Sequence, residues 1–162
     1  MLFLVVLVVG TGGAWLLARG RGTWRDHARR GLGVAMVVAG GSHLLRPEPF
    51  EQHLPDWVPL LEVLVAVTGV IEIVLGLLLF RPVRYRVQVG TALAFYFVAV
   101  FPANVYVAIE GIDVDGQPGG PYPWIRLPLQ ALFVFLAWWS TRPEEVEVAQ
   151  ASDAGIPEYV RT

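Results

Sequence analysis

The most exposed chemical question in this sequence is a glutamate inside an apolar run. Glu72 lies about twelve residues into the run 60–80, roughly 18 Å along a helix that rises about 1.5 Å per residue. In a bilayer that depth is near the midplane, where a charged side chain costs at least about 2.5–3.5 kcal/mol. The carboxyl must therefore be protonated, paired or turned toward a polar cavity. Its neighbours at i−4, i−3 and i+4 are Thr68, Gly69 and Gly76. That small-residue face packs against another helix and not against lipid. Two readings fit: a protonated carboxyl hydrogen-bonded to a neighbouring helix, or a ligand- or proton-binding group.

Four further polar side chains bear on the same question. His43 sits near the end of the run 28–45, with Ala35 and Ala39 two turns and one turn before it. It reads as an interhelical or interfacial residue, or as a base or ligand contact. Asn104 follows Pro102. Proline removes a helical hydrogen bond and kinks the helix, so Asn104 caps that break or points into the bundle. Arg126 and Gln130 are four residues apart and share one helix face. Arg126 snorkels to head groups, binds an anion, or pairs with Glu62 or Glu72. Trp57, set between Pro55 and Pro59, joins them as an aromatic ligand contact from a loop.

The elements that must position these groups are membrane helices. Of the 162 residues, 55% are hydrophobic and 16% charged, against roughly 45–50% and 25% in a soluble domain. The apolar residues gather in five segments, 1–18, 28–45, 60–80, 87–109 and 127–140. Backbone in lipid must satisfy its own hydrogen bonds, so these segments are expected to be helices. They lack the alternation of barrel strands. The second and fifth are short for a span and can recruit flanking residues such as Arg30 and Trp124. The first follows neither pattern of a secretory signal, having no basic residue before the apolar run and no small-residue cleavage site. It reads as a retained helix, with cleavage as the alternative.

Arginine placement orients the bundle. All 12 basic residues are Arg. With alternating sides, ten of them (Arg19, Arg21, Arg25, Arg29, Arg30, Arg81, Arg84, Arg86, Arg142 and Arg161) share one side, and Arg46 and Arg126 the other. This gives an N-terminus outside and a C-terminus in the cytoplasm of a multi-pass cell-membrane protein. The stretch 141–162, with Glu144, Glu145, Glu147, Asp153 and Glu158, reads as a disordered acidic cytoplasmic tail. The outer connections 46–59 and 110–128 are rich in proline, as short stiff loops over one end of a bundle would be. His43, Asn104, Arg126 and Gln130 then all fall in the outer half, and Glu72 lies deeper. Polar groups from four helices are expected to form a pocket opening outward.

Other chemistry has little support. A net charge of −2 does not suit nucleic acid. With no Cys the chain has no thiolate chemistry of its own. His27 and His43 fall on opposite sides, and His43 with His53 makes only a weak metal signal; no metal site is assigned.

Five stretches carry a resemblance. They are Ala39-Gly40-Gly41-Ser42-His43, Leu54-Pro55-Asp56-Trp57-Val58-Pro59, Thr68-Gly69-Val70-Ile71-Glu72-Ile73, Phe101-Pro102-Ala103-Asn104-Val105-Tyr106 and Arg126-Leu127-Pro128-Leu129-Gln130. In this order, with Trp138 and Trp139 after them, the chain resembles the DoxX-like family of small integral membrane proteins. The resemblance implies an all-α, polytopic membrane helix bundle: a four-helix core over 28–140, with segment 1–18 as an added transmembrane helix. Some relatives in that family are subunits of a thiosulfate:quinone oxidoreductase and others associate with redox-defence proteins. Without Cys the chain cannot carry sulfur, so under this resemblance a redox role calls for a partner redox subunit or a bound quinone as cofactor.

Three functions fit these residues. The first is an outward pocket that binds a quinone or lipid through Glu72, His43, Asn104, Gln130, Arg126 and Trp57, as the membrane subunit of a redox complex. The second is a lipid-modifying enzyme in which Glu72 and His43 transfer protons in a double-bond isomerisation. The third is a non-catalytic scaffold, alone or as a homo-oligomer among membrane lipids, whose polar groups only hold helices together.

Overall fold

The computed structural model describes residues 2–81 and 85–143. Those residues are all-helical, in six helices: α1 (Leu2–Leu17), α2 (Trp24–Leu45), α3 (Glu48–Glu51), α4 (Leu61–Leu78), α5 (Arg86–Glu110) and α6 (Tyr122–Thr141). Arg84 and the acidic stretch from Glu144 onward, read above as a disordered tail, lie outside the described residues.

The apolar segments all become helices, and the two short ones grow at their N-terminal ends. α2 begins at Trp24 because Thr23 caps it, its hydroxyl accepting from the Asp26 amide at 3.3 Å; such a cap satisfies one of the helix's orphan donors. α6 begins at Tyr122, directly after Pro121, which lacks an amide to lose. The connection 46–60 holds one short helix, α3, that the sequence did not announce.

Two of the helices, α4 and α5, are long and apolar enough to cross a membrane by length and composition. α1 is apolar and 16 residues long. The shared core is small and lies where α1, α2, α5 and α6 meet, around Leu32, Met36, Leu93, Phe97 and Ala137. Many large apolar side chains face outward instead, among them Val67, Val70 and Val74 on α4 and Phe95 and Val98 on α5.

Helices α2 and α4 cross closely, and glycine makes it possible. A Cβ on Gly33 would fall 2.9 Å from the Gly76 carbonyl oxygen, and one on Gly76 would fall 2.8 Å from that of Gly33. One turn-pair further along, a Cβ on Gly69 would fall 2.9 Å from the Gly40 carbonyl and 2.6 Å from the Cβ of His43. The two glycines on each helix are seven residues apart, two turns on one face, so the backbones meet along the whole seam. Missing side chains here leave the room that His43 fills.

At the end where α4 stops and α5 starts, an ion cluster joins three elements. The Arg29 guanidinium bonds Asp26 at 2.9 Å and also donates to the Leu79 carbonyl beyond α4. Arg86 at the start of α5 stands 3.6 Å from the same Asp26 carboxylate. The Leu79 carbonyl lies at the negative end of the α4 dipole, where a cation is favoured.

Candidate functional site

The sequence-derived candidates separate into three groups. The first contains His43 and Glu72. α2 and α4 press together at Gly40 and Gly69, and this crossing sets the His43 ring against α4. Its Nδ1 lies 3.2 Å from both the Val65 carbonyl oxygen and the Thr68 hydroxyl. Its Nε2 lies 3.6 Å from Glu72 Oε2. Phe50 of α3 lies against the imidazole, ring centres 3.7 Å apart and planes at 39°. Glu72 is 8% exposed. Its Oε1 accepts from the Tyr96 hydroxyl of α5 at 2.8 Å, while its Oε2 has no hydrogen-bond partner among the described residues. A buried acceptor without a partner is uncommon enough to need a reason.

Beside this pair is a cleft of about 370 Å³. His43, Pro47 and Ala66 line it together with three carboxylates, Glu48, Glu51 and Glu62. His43 thus has one side toward an acidic opening and the other toward a buried carboxyl.

The second group is Asn104 with Gln130, across the α5–α6 seam. Asn104 Nδ2 donates to Gln130 Oε1 at 3.1 Å, and Gln130 Nε2 donates to the Phe97 carbonyl at 2.7 Å. Pro102 supplies no amide to the ladder of α5, which frees the Val98 carbonyl; the donor from α6 meets the neighbouring Phe97 carbonyl. Both side chains are buried and both are occupied.

The third group lies in the connections 46–60 and 111–121. Arg126 donates to Gln117 Oε1 at 2.8 Å and to His53 Nε2 at 2.6 Å. His53 in turn donates from Nδ1 to the Pro49 carbonyl at 2.7 Å. Gln52 and Asp115 clasp the same two connections, side-chain amide to carboxylate at 3.0 Å and backbone amide to side-chain oxygen at 2.9 Å. Burial, then the adjacent Arg126 cation, push the His53 imidazole down to about 4. His53 is therefore neutral at neutral pH, and its Nε2 lone pair is what Arg126 binds. Arg126 meets neither Glu62 nor Glu72 among its hydrogen bonds and ion pairs. Trp57 stands apart from all three groups, 81% exposed.

The single outward pocket expected from the sequence is therefore divided. His43 and Glu72 come together, Asn104 and Gln130 come together elsewhere, and Arg126 belongs to the loops. Tyr96, Phe50 and Gln117 were missed. Nothing in the sequence pairs Tyr96 with Glu72; it is eight residues before Asn104 on α5, about 80° away around the helix axis. The two therefore address different neighbours, Tyr96 toward α4 and Asn104 toward α6.

No curated protein and no solved structure matches the chain. Residues 32–141 match the model of a family described only as a domain of unknown function, DUF8561, and the chain, more than half of it covered, belongs to that family.

Proposed function

We propose that the protein is a multi-pass membrane protein of the cell membrane that holds the head of a small apolar molecule, a quinone or a lipid, in the cleft beside His43. In this reading α2, α4, α5 and α6 form a DoxX-like four-helix core and α1 is a fifth span. The N-terminus and the cleft face outward, the C-terminus faces the cytoplasm, and the protein serves as the membrane subunit of a redox complex. The observation that carries the reading is the position of His43: it lines the cleft and stands 3.6 Å from a buried, half-partnered Glu72. An aromatic face at Phe50 and a proton-bearing pair beside it suit a ring with carbonyl or hydroxyl groups.

Exposure supports the membrane part. The most apolar stretches of α4 and α5 have mean hydropathies of 2.3 and 1.9, yet only 22% and 28% of each is buried. The core helix of a soluble protein would be mostly buried, and outward-facing valine, leucine and phenylalanine are at home only in hydrocarbon or an interface. Three carboxylates around the cleft disfavour an anionic head and favour a neutral one such as a quinone.

The test is native mass spectrometry of the protein purified from its membrane, with extraction and identification of what it releases. A stoichiometric quinone or neutral lipid is expected, with occupancy reduced about tenfold in His43→Ala, a loss of about 1.4 kcal/mol of binding. No bound molecule, or equal occupancy in a folded His43→Ala, overturns the reading.

A further inference from the structure

We propose that His43 and Glu72 hold one exchangeable proton between them, and that the acidic cleft delivers it through the His43 ring. This goes beyond ligand binding, because the pair loads its proton in the ligand-free protein.

The hydrogen-bond donors fix the tautomer. The Val65 carbonyl only accepts, and the Thr68 hydroxyl already donates to it at 2.9 Å. A ring nitrogen 3.2 Å from that carbonyl must therefore carry hydrogen, so Nδ1 is the protonated nitrogen. Nε2 then presents either a lone pair or a second proton. On Glu72, Oε1 is taken by Tyr96 at 2.8 Å, which leaves Oε2 for whatever Nε2 offers.

Counting protons decides the rest. With none between them, two lone pairs face each other across 3.6 Å and the buried pair has a charge of −1. With two, it has a charge of +1. With one, it is imidazole beside a carboxylic acid or imidazolium beside a carboxylate, with zero net charge in either form. Burying an uncompensated charge is the costly alternative, so the one-proton state is held, and the proton belongs to the pair. The groups facing it are Tyr96 from α5, Thr68 and the Val65 carbonyl from α4, and Phe50 from α3. The charged groups around the opening are Glu48 and Glu51 of α3 and Glu62 of α4, with Arg46 at the end of α2 and the neutral His53 beyond α3.

Delivery needs no oxidant or second reactant. Nε2 has a single lone pair, so it takes a proton from water with the ring swung toward the cleft, which makes an imidazolium, and the ring then swings back to Glu72. The Nε2–H bond then breaks as the Oε2–H bond forms, and the ring is left in its starting tautomer. Carboxylates around the opening raise the local proton concentration.

Infrared difference spectroscopy of the ligand-free protein in nanodiscs, on transfer from water to deuterated water, tests this. Glu72 is expected to give a protonated-carboxyl stretch that is absent in Glu72→Gln. A carboxylate for Glu72 with an imidazolium for His43 is the other one-proton form and supports the proposal equally. His43→Gln keeps a donor for the Val65 carbonyl but cannot take a second proton. In it, deuteration of Glu72 is expected to slow about a hundredfold, the scale on which a positioned acid–base group acts. Should that variant fail to fold, the double variant Glu51→Gln with Glu62→Gln, at the cleft opening, is expected to slow deuteration severalfold. A carboxylate on Glu72 beside a neutral His43 at neutral pH overturns the shared proton. Unchanged exchange in folded His43→Gln, or in the double variant, overturns delivery through the cleft. An empty cleft in mass spectrometry bears on the proposed ligand and leaves this result standing.

Discussion

The two sides of the loop-capped half of the bundle handle polar groups in opposite ways. On the α5–α6 side and in the connections above it, two separate networks, Asn104 with Gln130 and Arg126 with Gln117 and His53, give each side chain an internal partner. On the α2–α4 side, Glu72 keeps a buried oxygen without a hydrogen bond among the described residues, and His43 stands between it and an open acidic cleft. Both sides use the same kinds of residue at similar burial. What separates them is saturation: a filled network holds helices and loops together, whereas an unfilled acceptor beside an opening is available to a proton or a ligand. The polar residues of this helical bundle thus divide by whether their hydrogen-bonding capacity is spent, which residue type alone does not reveal.

The largest effect expected is on the filled side, in acid. His53 titrates at about 4 in the fold, against an ordinary 6.5. Its folded state therefore binds the proton less well than the unfolded state does. The stability it supports is complete above pH 6.5 and falls as pH drops from 6.5 toward 4. At about 1.4 kcal/mol per unit, the loss reaches about 3 kcal/mol. Thermal unfolding in detergent across that range should show the loss, and His53→Gln should flatten it. An unchanged acid slope in His53→Gln would place the sensitivity elsewhere and weaken the contrast between the two sides.

The next effect is smaller. Gln130→Ala removes the acceptor of the Asn104 side-chain amide and the second donor to the Phe97 carbonyl. Hydrogen bonds between membrane helices are each worth about 1–2 kcal/mol in model systems, and less on average in folded proteins. A loss of about 2 kcal/mol is expected, read as a lower melting temperature, with the deuteration rate of Glu72 unaltered. A change in that rate would mean the two sides are coupled.

The smallest effect is the most discriminating. Glu72→Gln keeps an oxygen for Tyr96 and an amide able to reach toward His43, so stability should change by less than about 1 kcal/mol. The scaffold reading requires the opposite, a loss of stability together with any loss of ligand. Melting temperature and bound-ligand occupancy measured on the same sample separate the two.

Much of this was legible in the chain. Unbroken apolar runs specify helices because backbone away from water must bond within itself. The period of the helix marked Thr68, Gly69, Glu72 and Gly76 as one small, polar-bearing face, and that is the face α2 packs on. It likewise put Arg126 and Gln130 on one side of α6. Flanking residues that extended α2 and α6 were readable from Thr23 and Pro121, although α3 was not.

Partnership across helices was not legible, because the helical period fixes angles around one axis and says nothing of what stands opposite. Glu72 found Tyr96 and His43; Arg126, expected near a glutamate, found His53 and Gln117; Asn104 and Gln130 found each other. The position of each polar group along its helix and its angle around the helix axis came from the sequence by itself. The tertiary structure alone decided which groups have their hydrogen bonds filled, since that depends on the separation at each crossing. Between α2 and α4 the crossing is set by glycines, whose missing side chains bring His43 to 3.6 Å from Glu72.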